Sequence, residues 1–256
     1  MVRSLASAAG RRNEGKFITE RTKNVLELLY GKFNLSLLIA THEWFQTHQH
    51  LRLPDHKCLQ ATSADLERMS TLSTPPDVIA VFDLPRQTVN LSLDASVDST
   101  KLYLALDHIQ DPGNMGTIIR IADWFGVDTI YISKESVDPY NPKSIIASMG
   151  SIARVSVVEC DLPEFLGHNS RHGINVWGAT LNGENLYYMN ESTIPAGIIV
   201  MGNEGHGLSP EVEQCVTASI SIPRYPVGSS SAESLNVAMA TAIILSEFRR
   251  RSILNT

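Results

Sequence analysis

Asn114 and Arg120 lie in the run Asp111-Pro-Gly-Asn-Met-Gly-Thr-Ile-Ile-Arg120, directly after an apolar segment. The arginine shares its stretch with Ile118, Ile119, Ile121, Ala122, Trp124 and Phe125, so its surroundings are expected to be apolar. A guanidinium there needs a carboxylate, a phosphate or water to satisfy it. Glu204, set among glycines in Gly202-Asn-Glu-Gly-His-Gly-Leu208, is the candidate partner. Ser234 and Asn236 stand where a helix begins, and a helix start offers unpaired backbone N–H groups. Together these residues suggest a ligand site made mostly of backbone. Each also has an ordinary structural reading. Asn114 or Ser234 would cap a helix, Asn236 would sit in a first turn, Arg120 would snorkel, and Glu204 would be a turn residue.

The elements that must carry these residues can be read from hydrophobic spacing. Strands are expected at 102–106, 129–132, 155–158, 174–179, 198–201 and 218–222. Helices are expected at 115–125, 144–151, 163–168, 210–215 and 234–250. Strands alternating with helices imply a parallel sheet covered on both faces. Upstream, 17–29 reads as a helix, 35–40 as a strand, 63–69 as a second helix and 78–82 as another strand. The segment 84–100 is rich in Pro, Ser, Asp and Asn. It marks a domain boundary that divides the chain into residues 1–95 and 96–256.

Composition narrows the function classes. With 256 residues, 43% hydrophobic and 19% charged, the chain reads as a soluble globular protein of one large or two ordinary domains. A net charge of -6 excludes a protein that coats nucleic acid over its whole surface. Within the first 32 residues, however, seven Lys and Arg face three Glu, so the N-terminal part is locally basic. Cys58, Cys160 and Cys215 form no C-x-x-C pair and suit a reducing compartment, the cytoplasm. No apolar run is long enough for a signal peptide or a membrane span.

Several motifs are excluded by spacing. The glycine loop at 202–208 is neither a Walker loop nor a dinucleotide fingerprint. His42-Glu43-Trp-Phe-Gln46 lacks the second histidine of a zinc protease. His42, His48, His50 and His56 cluster without completing a ligand set, so they read as a surface loop and no metal is expected. No G-x-S-x-G elbow is present.

Taken in order, three segments resemble the SpoU (TrmH-like) branch of the SPOUT RNA methyltransferases. Asn114 and Arg120 match the opening motif, Gly202 to Leu208 the glycine motif, and Ile222-Pro223 with Ser234-Leu-Asn-Val237 the closing motif. Ala147-Ser-Met-Gly-Ser151 resembles the family's linking segment. The resemblance implies an α/β SPOUT domain with a parallel sheet, helices on both faces and a trefoil knot, an exception to unknotted connections. It implies S-adenosylmethionine as cofactor, held by Thr180, Gly202, Asn203, Glu204, Gly205, Ile222 and Leu235. Catalysis would fall to Arg120, Asn114, Glu204, Ser234 and Asn236, in a homodimer.

Residues 15–29 resemble the start of an L30e-like RNA-binding domain, although the usual Glu-Gly pair reads Glu20-Arg21. Arg11, Arg12, Lys16, Lys23 and Arg120 are the expected RNA contacts. The implied activity is methylation of a ribose 2′-hydroxyl in structured RNA, with ribosomal RNA the first expectation. A transfer RNA substrate, or a catalytically inactive assembly factor of the same fold, stands as the alternative. The loop between Pro223 and Ser234 is longer than in typical relatives, which leaves its contact with the cofactor open.

Overall fold

The computed structural model describes residues 1–85, 97–189, 196–226 and 233–254. The chain divides into two units. One is Met1–Arg86 with Asp138–Arg154, and the other is Gln87–Val137 with Val155–Thr256. The boundary expected between residues 95 and 96 falls outside the described residues. The division also gives Asp138–Arg154, a segment expected in the second domain, to the first unit.

The first unit begins with a 3-10 turn at Val2–Ala6 and α1 (Ala8–Glu14). A strand β1 (Lys16–Glu20) follows, then α2 (Thr22–Leu29) and β2 (Leu35–Ala40). The first half of the helix expected over 17–29 is therefore extended. Phe17, Ile18, Thr19 and Glu20 are all buried, which a strand inside a sheet achieves and an amphipathic helix does not. The unit continues with α3 (His42–Thr47), β3 (Cys58–Gln60), α4 (Ser63–Met69) and β4 (Val78–Asp83). Thr62 and Asp65 form the capping box of α4. The sheet order is β1-β4-β2-β3, with β1 and β2 antiparallel to the central β4 and β3 parallel to β2.

Arg11 is about 1% exposed in this unit. Its Nη1 donates to the carbonyls of Leu5 and Ala6, while Nε and Nη2 pair with Asp138 at 2.7 and 2.6 Å. Lys16 is paired with Asp83 at 2.5 Å. Arg11 is turned inward and its charge is used internally, so it is not presented to a ligand as the sequence suggested, while Lys16 is part-exposed beside its partner. Arg12 and Lys23 are exposed.

The second unit opens with β5 (Leu102–Leu106), α5 (Pro112–Trp124) and β6 (Thr129–Ser133). The chain then supplies α6 (Pro142–Ser148) to the first unit. It returns through β7 (Ser156–Cys160), α7 (Leu162–Arg171), β8 (Val176–Asn185) and β9 (Gly197–Met201). The last elements are α8 (Pro210–Glu213), β10 (Ala218–Ser221) and α9 (Val237–Leu254). All six strands run parallel in the order β10-β8-β9-β5-β6-β7.

Alternate residues of these strands feed opposite faces. Tyr103, Ala105, Tyr131, Val176, Ile198 and Val200 pack with Phe165 and Leu166 of α7 and Val212 of α8. Trp177, one residue on from Val176, meets Phe248 of α9 on the other face at 5.8 Å. The order of strands reverses between β5 and β9. In such a sheet the crevice beyond the carboxyl ends at that reversal is the natural ligand site.

Candidate active site

Three stretches converge at those carboxyl ends. The first follows β5. Asp111 caps α5, its Oδ1 accepting the N–H of Asn114 at 2.8 Å, and Pro112 begins the helix. Asn114 is therefore not the cap, and its side chain is free for other work. Met115, Ile118, Ile119 and Ala122 form the buried face of α5. Arg120 lies on the opposite face and is exposed, so the apolar surroundings expected for it are absent. Among the described residues it has no ion pair, with Glu204 or otherwise.

The second stretch follows β9. Asn203 and Gly207 bond backbone to backbone in both directions, at 2.8 and 3.0 Å, which closes the glycine loop. At Gly202 an added Cβ would lie 2.4 Å from the backbone of Gly207, so a side chain there would break the loop open. Asn203 works inside this loop. Its Oδ1 accepts the N–H groups of Gly205 and His206, and its Nδ2 donates to the carbonyl of His108 at 2.9 Å.

The third stretch leads into α9. Asn236 Oδ1 accepts the N–H groups of Ala238 at 3.0 Å and Met239 at 3.3 Å, so Asn236 is the cap, the role Ser234 was also a candidate for. Ser234 is exposed beside it.

The three stretches meet in a directional relay. Asn236 Nδ2 donates to Asn114 Oδ1 at 2.9 Å, and Asn114 Nδ2 donates to Glu204 Oε1 at 2.8 Å. An ionised carboxylate only accepts, and the cap oxygen of Asn236 only accepts from backbone N–H groups. Both amide orientations follow from those two ends. Glu204 thus holds Asn114, and its carboxylate is half-buried.

Beside the relay lies a cavity of about 650 Å³. Thr180, Gly202, Asn203, Glu204, Gly205, Ile222 and Leu235 all line it, as do Ser234, Met201 and Ile244. Arg224 and Tyr225 reach its rim, with Tyr225 almost wholly exposed. The remainder of the longer loop, 227–232, lies outside the described residues. Among the described residues no group of His, Cys, Asp and Glu could hold a metal ion, and no helix is long and apolar enough to cross a membrane.

One positioning residue was missed in the sequence. Asp107, buried at the end of β5, accepts the N–H of Ser209 through Oδ2 at 2.7 Å, while its own N–H donates to the carbonyl of Met201 at 2.9 Å. It therefore clamps both ends of the glycine loop. Its Oδ1 holds His108 Nδ1 at 2.6 Å, and His108 carries a left-handed backbone, φ 56°. The available signal was a carboxylate directly ending an apolar strand, where α/β sheets place their ligands.

Comparison with known proteins places this arrangement. The 23S rRNA (guanosine(2553)-2′-O)-methyltransferase RlmP of Bacillus subtilis is 29% identical over 194 residues, 75% of this chain and 73% of that protein. An uncharacterized tRNA/rRNA methyltransferase of Synechocystis is 30% identical, covering 98% of this chain and 89% of the relative. A TrmH-family structure from Porphyromonas gingivalis superposes with a TM-score of 0.85 at 38% identity, covering 98% of this chain and 96% of that one. The AdoMet-bound rRNA methyltransferase of Sinorhizobium meliloti superposes with a TM-score of 0.82 at 26% identity, covering 97% and 92%. The family model described as SpoU rRNA Methylase matches residues 101–246, the stretch that contains the relay, the clamp and the cavity, and the chain belongs to that family.

Proposed function

We propose that this protein transfers a methyl group from S-adenosylmethionine to a ribose 2′-hydroxyl of structured RNA, with ribosomal RNA as the substrate. The observation that carries the proposal is the Asn236–Asn114–Glu204 relay beside a closed glycine loop and a ligand-sized cavity. The cavity suits the cofactor by size and by its mixture of apolar side chains and glycine backbone. Thr180, Gly202, Asn203, Glu204, Gly205, Ile222 and Leu235 would hold it. S-adenosylmethionine would supply an already activated methyl group.

The protein's own task is then alignment, together with help for a weakly acidic hydroxyl losing its proton. A guanidinium is a donor and a fixed positive charge rather than a base. The role of Arg120 is to grip the phosphate next to the target ribose and lower the hydroxyl's proton affinity through its charge. Its exposed position suits contact with a large substrate. Asn114, Ser234 and Asn236 orient the ribose, and Glu204 holds Asn114. The same reading assigns residues 1–95 to an L30e-like RNA-binding domain and a trefoil knot to the C-terminal domain. It also makes the protein a homodimer, for which the exposed Trp124, Leu235 and Met239 on and beside α5 and α9 offer apolar surface. The unpaired cysteines suit the cytoplasm.

The test is incorporation of radiolabelled methyl groups into ribosomal and transfer RNA, with the modified positions mapped. Arg120→Lys removes the planar fork while keeping the charge. It should cut the rate about a hundredfold and leave the melting temperature unchanged, because the side chain is exposed. Full activity with lysine would sink the role given to the fork. Methyl incorporation into transfer RNA alone would move the substrate, and no cofactor binding by calorimetry would leave an assembly factor.

A further inference from the structure

Methyl transfer to a hydroxyl releases a proton, and the roles given to Arg120, Asn114 and Glu204 leave its destination open. Among the described residues that line the cavity, the ionisable side chains are Glu204, His206, Arg224, Tyr225 and Glu233. Arg224 is a cation whose Nη2 donates to the carbonyl of Glu233, and Glu204 holds Asn114 through Oε1. His206 is the one imidazole. Imidazoles ordinarily change charge between about pH 5 and 8, the range in which a proton acceptor works best.

His206 stands between two glycines in the closed loop after β9, and it is exposed. Its ring is oriented by Asn203, and the hydrogen bonds fix its tautomer. Asn203 Nδ2 donates to the carbonyl of His108 at 2.9 Å, so the other terminal atom of that amide is an oxygen. That oxygen accepts the N–H groups of Gly205 and His206 at 2.9 and 3.1 Å. His206 Nδ1 lies 3.2 Å from the same oxygen, which has no proton to give. Nδ1 therefore carries the proton of the neutral ring, and Nε2 keeps its lone pair. Among the described residues Nε2 has no hydrogen-bond partner. A base with one nitrogen held by an orienting group and the other bare is the arrangement that activates a hydroxyl.

We propose that His206 Nε2 accepts the proton of the ribose 2′-hydroxyl, with Asn203 as the residue that orients the ring. This rests on the methylation reading. As the ribose oxygen bonds to the methyl carbon, the carbon–sulfur bond breaks and its electron pair stays on sulfur. The hydroxyl proton passes to Nε2, so the positive charge that leaves sulfur reappears on the imidazole. The exposed ring then returns the proton to water. Arg120 and His206 divide the task, one as a fixed charge and the other as the acceptor.

Two variants of the full chain separate the two ring nitrogens. Asparagine offers an amide nitrogen where Nδ1 stood and nothing at Nε2, so His206→Asn keeps the bond to Asn203 and loses the acceptor. His206→Ala loses both. Methyl transfer to ribosomal RNA is followed across the pH range in which histidines titrate, beside cofactor affinity by calorimetry and stability by melting. Both variants should lower kcat about a hundredfold and lose the parent's rise in rate with pH. Cofactor affinity and melting temperature should stay at the parent's values, because the side chain is exposed. Added imidazole should restore part of the rate to His206→Ala. Nitrogen chemical shifts of the cofactor-free parent should show Nδ1 protonated and Nε2 bare. His206→Asn with the parent's kcat and pH profile, or a neutral ring protonated at Nε2, overturns the proposal and leaves the methylation reading standing. A parent that binds cofactor yet methylates no RNA overturns that reading as well.

Discussion

Replacing Asn236 with aspartate separates two roles that one side chain performs. In the folded protein Asn236 Oδ1 caps α9, and Nδ2 drives the relay through Asn114 to Glu204. Aspartate caps as well as asparagine, and its charge favours a helix start by about 0.3–1 kcal/mol. The melting temperature should therefore move by no more than about 3 °C. The relay fails, because an oxygen would now face Asn114 Oδ1 at 2.9 Å. Flipping the Asn114 amide only moves the clash to Glu204. Asn236 is exposed, so in the free protein solvent screens the clash, and the lost hydrogen bond costs about 0.5–1.5 kcal/mol, which the better cap largely offsets; with bound substrate excluding water the total rises to about 1.5–3 kcal/mol. If that misalignment falls on the transition state, kcat drops about ten- to hundredfold. Initial rates of methyl transfer to RNA, run beside melting curves, measure both quantities. Asn236→Ala serves as the contrast, since it loses the cap and about 1 kcal/mol of stability. Wild-type kcat for Asn236→Asp would refute the relay as part of the machinery. A melting temperature as low as that of the alanine variant would refute the separation of roles.

Two further outcomes concern stability. Glu247 accepts from Arg250 and Arg251, and the buried Arg251 also donates to the carbonyls of Met189 and Leu186. Glu247→Gln removes the charge facing that buried guanidinium, which keeps its carbonyl partners, and should cost about 1.5–3 kcal/mol, the value of hydrogen bonds to a charged group. Chemical denaturation checks this, and a loss below about 1 kcal/mol would count against it. Burial pushes the Cys160 thiol from 9.0 up to about 12, and burial first, then Tyr103, pushes the Tyr131 phenol from 10.0 to about 12. Both folded-state values are raised, so their contribution is complete below about pH 9 and is lost as the pH climbs toward 12. Melting should fall across that window, and the fall should be shallower in Cys160→Ala with Tyr131→Phe; an equal slope would argue against these groups.

Much of the second unit was legible because its strands are short apolar runs and its turns carry Gly, Pro and Asn. Helix starts were less legible. The helix expected from 115 begins at Pro112, with Asp111 as its cap, since a capping residue and a turn residue have the same chemistry. Phe17–Glu20 was read as helix because it adjoins a helical run, and only pairing with β4 makes it a strand.

The sequence by itself determined the family and the order of the three motifs, because these depend on residue type and local spacing. Tertiary structure decided what each polar side chain does. Arg11 carries the same charge as Lys23, but burial against Asp138 turns it inward, and Lys16 pairs with Asp83 where Lys23 stands exposed. Asp107 clamps a loop about a hundred residues away, and the pairing of Asn114 with Glu204 spans 90 positions. Such contacts are set by which strands lie side by side, and β5 and β9 are neighbours only because the sheet reverses its order between them.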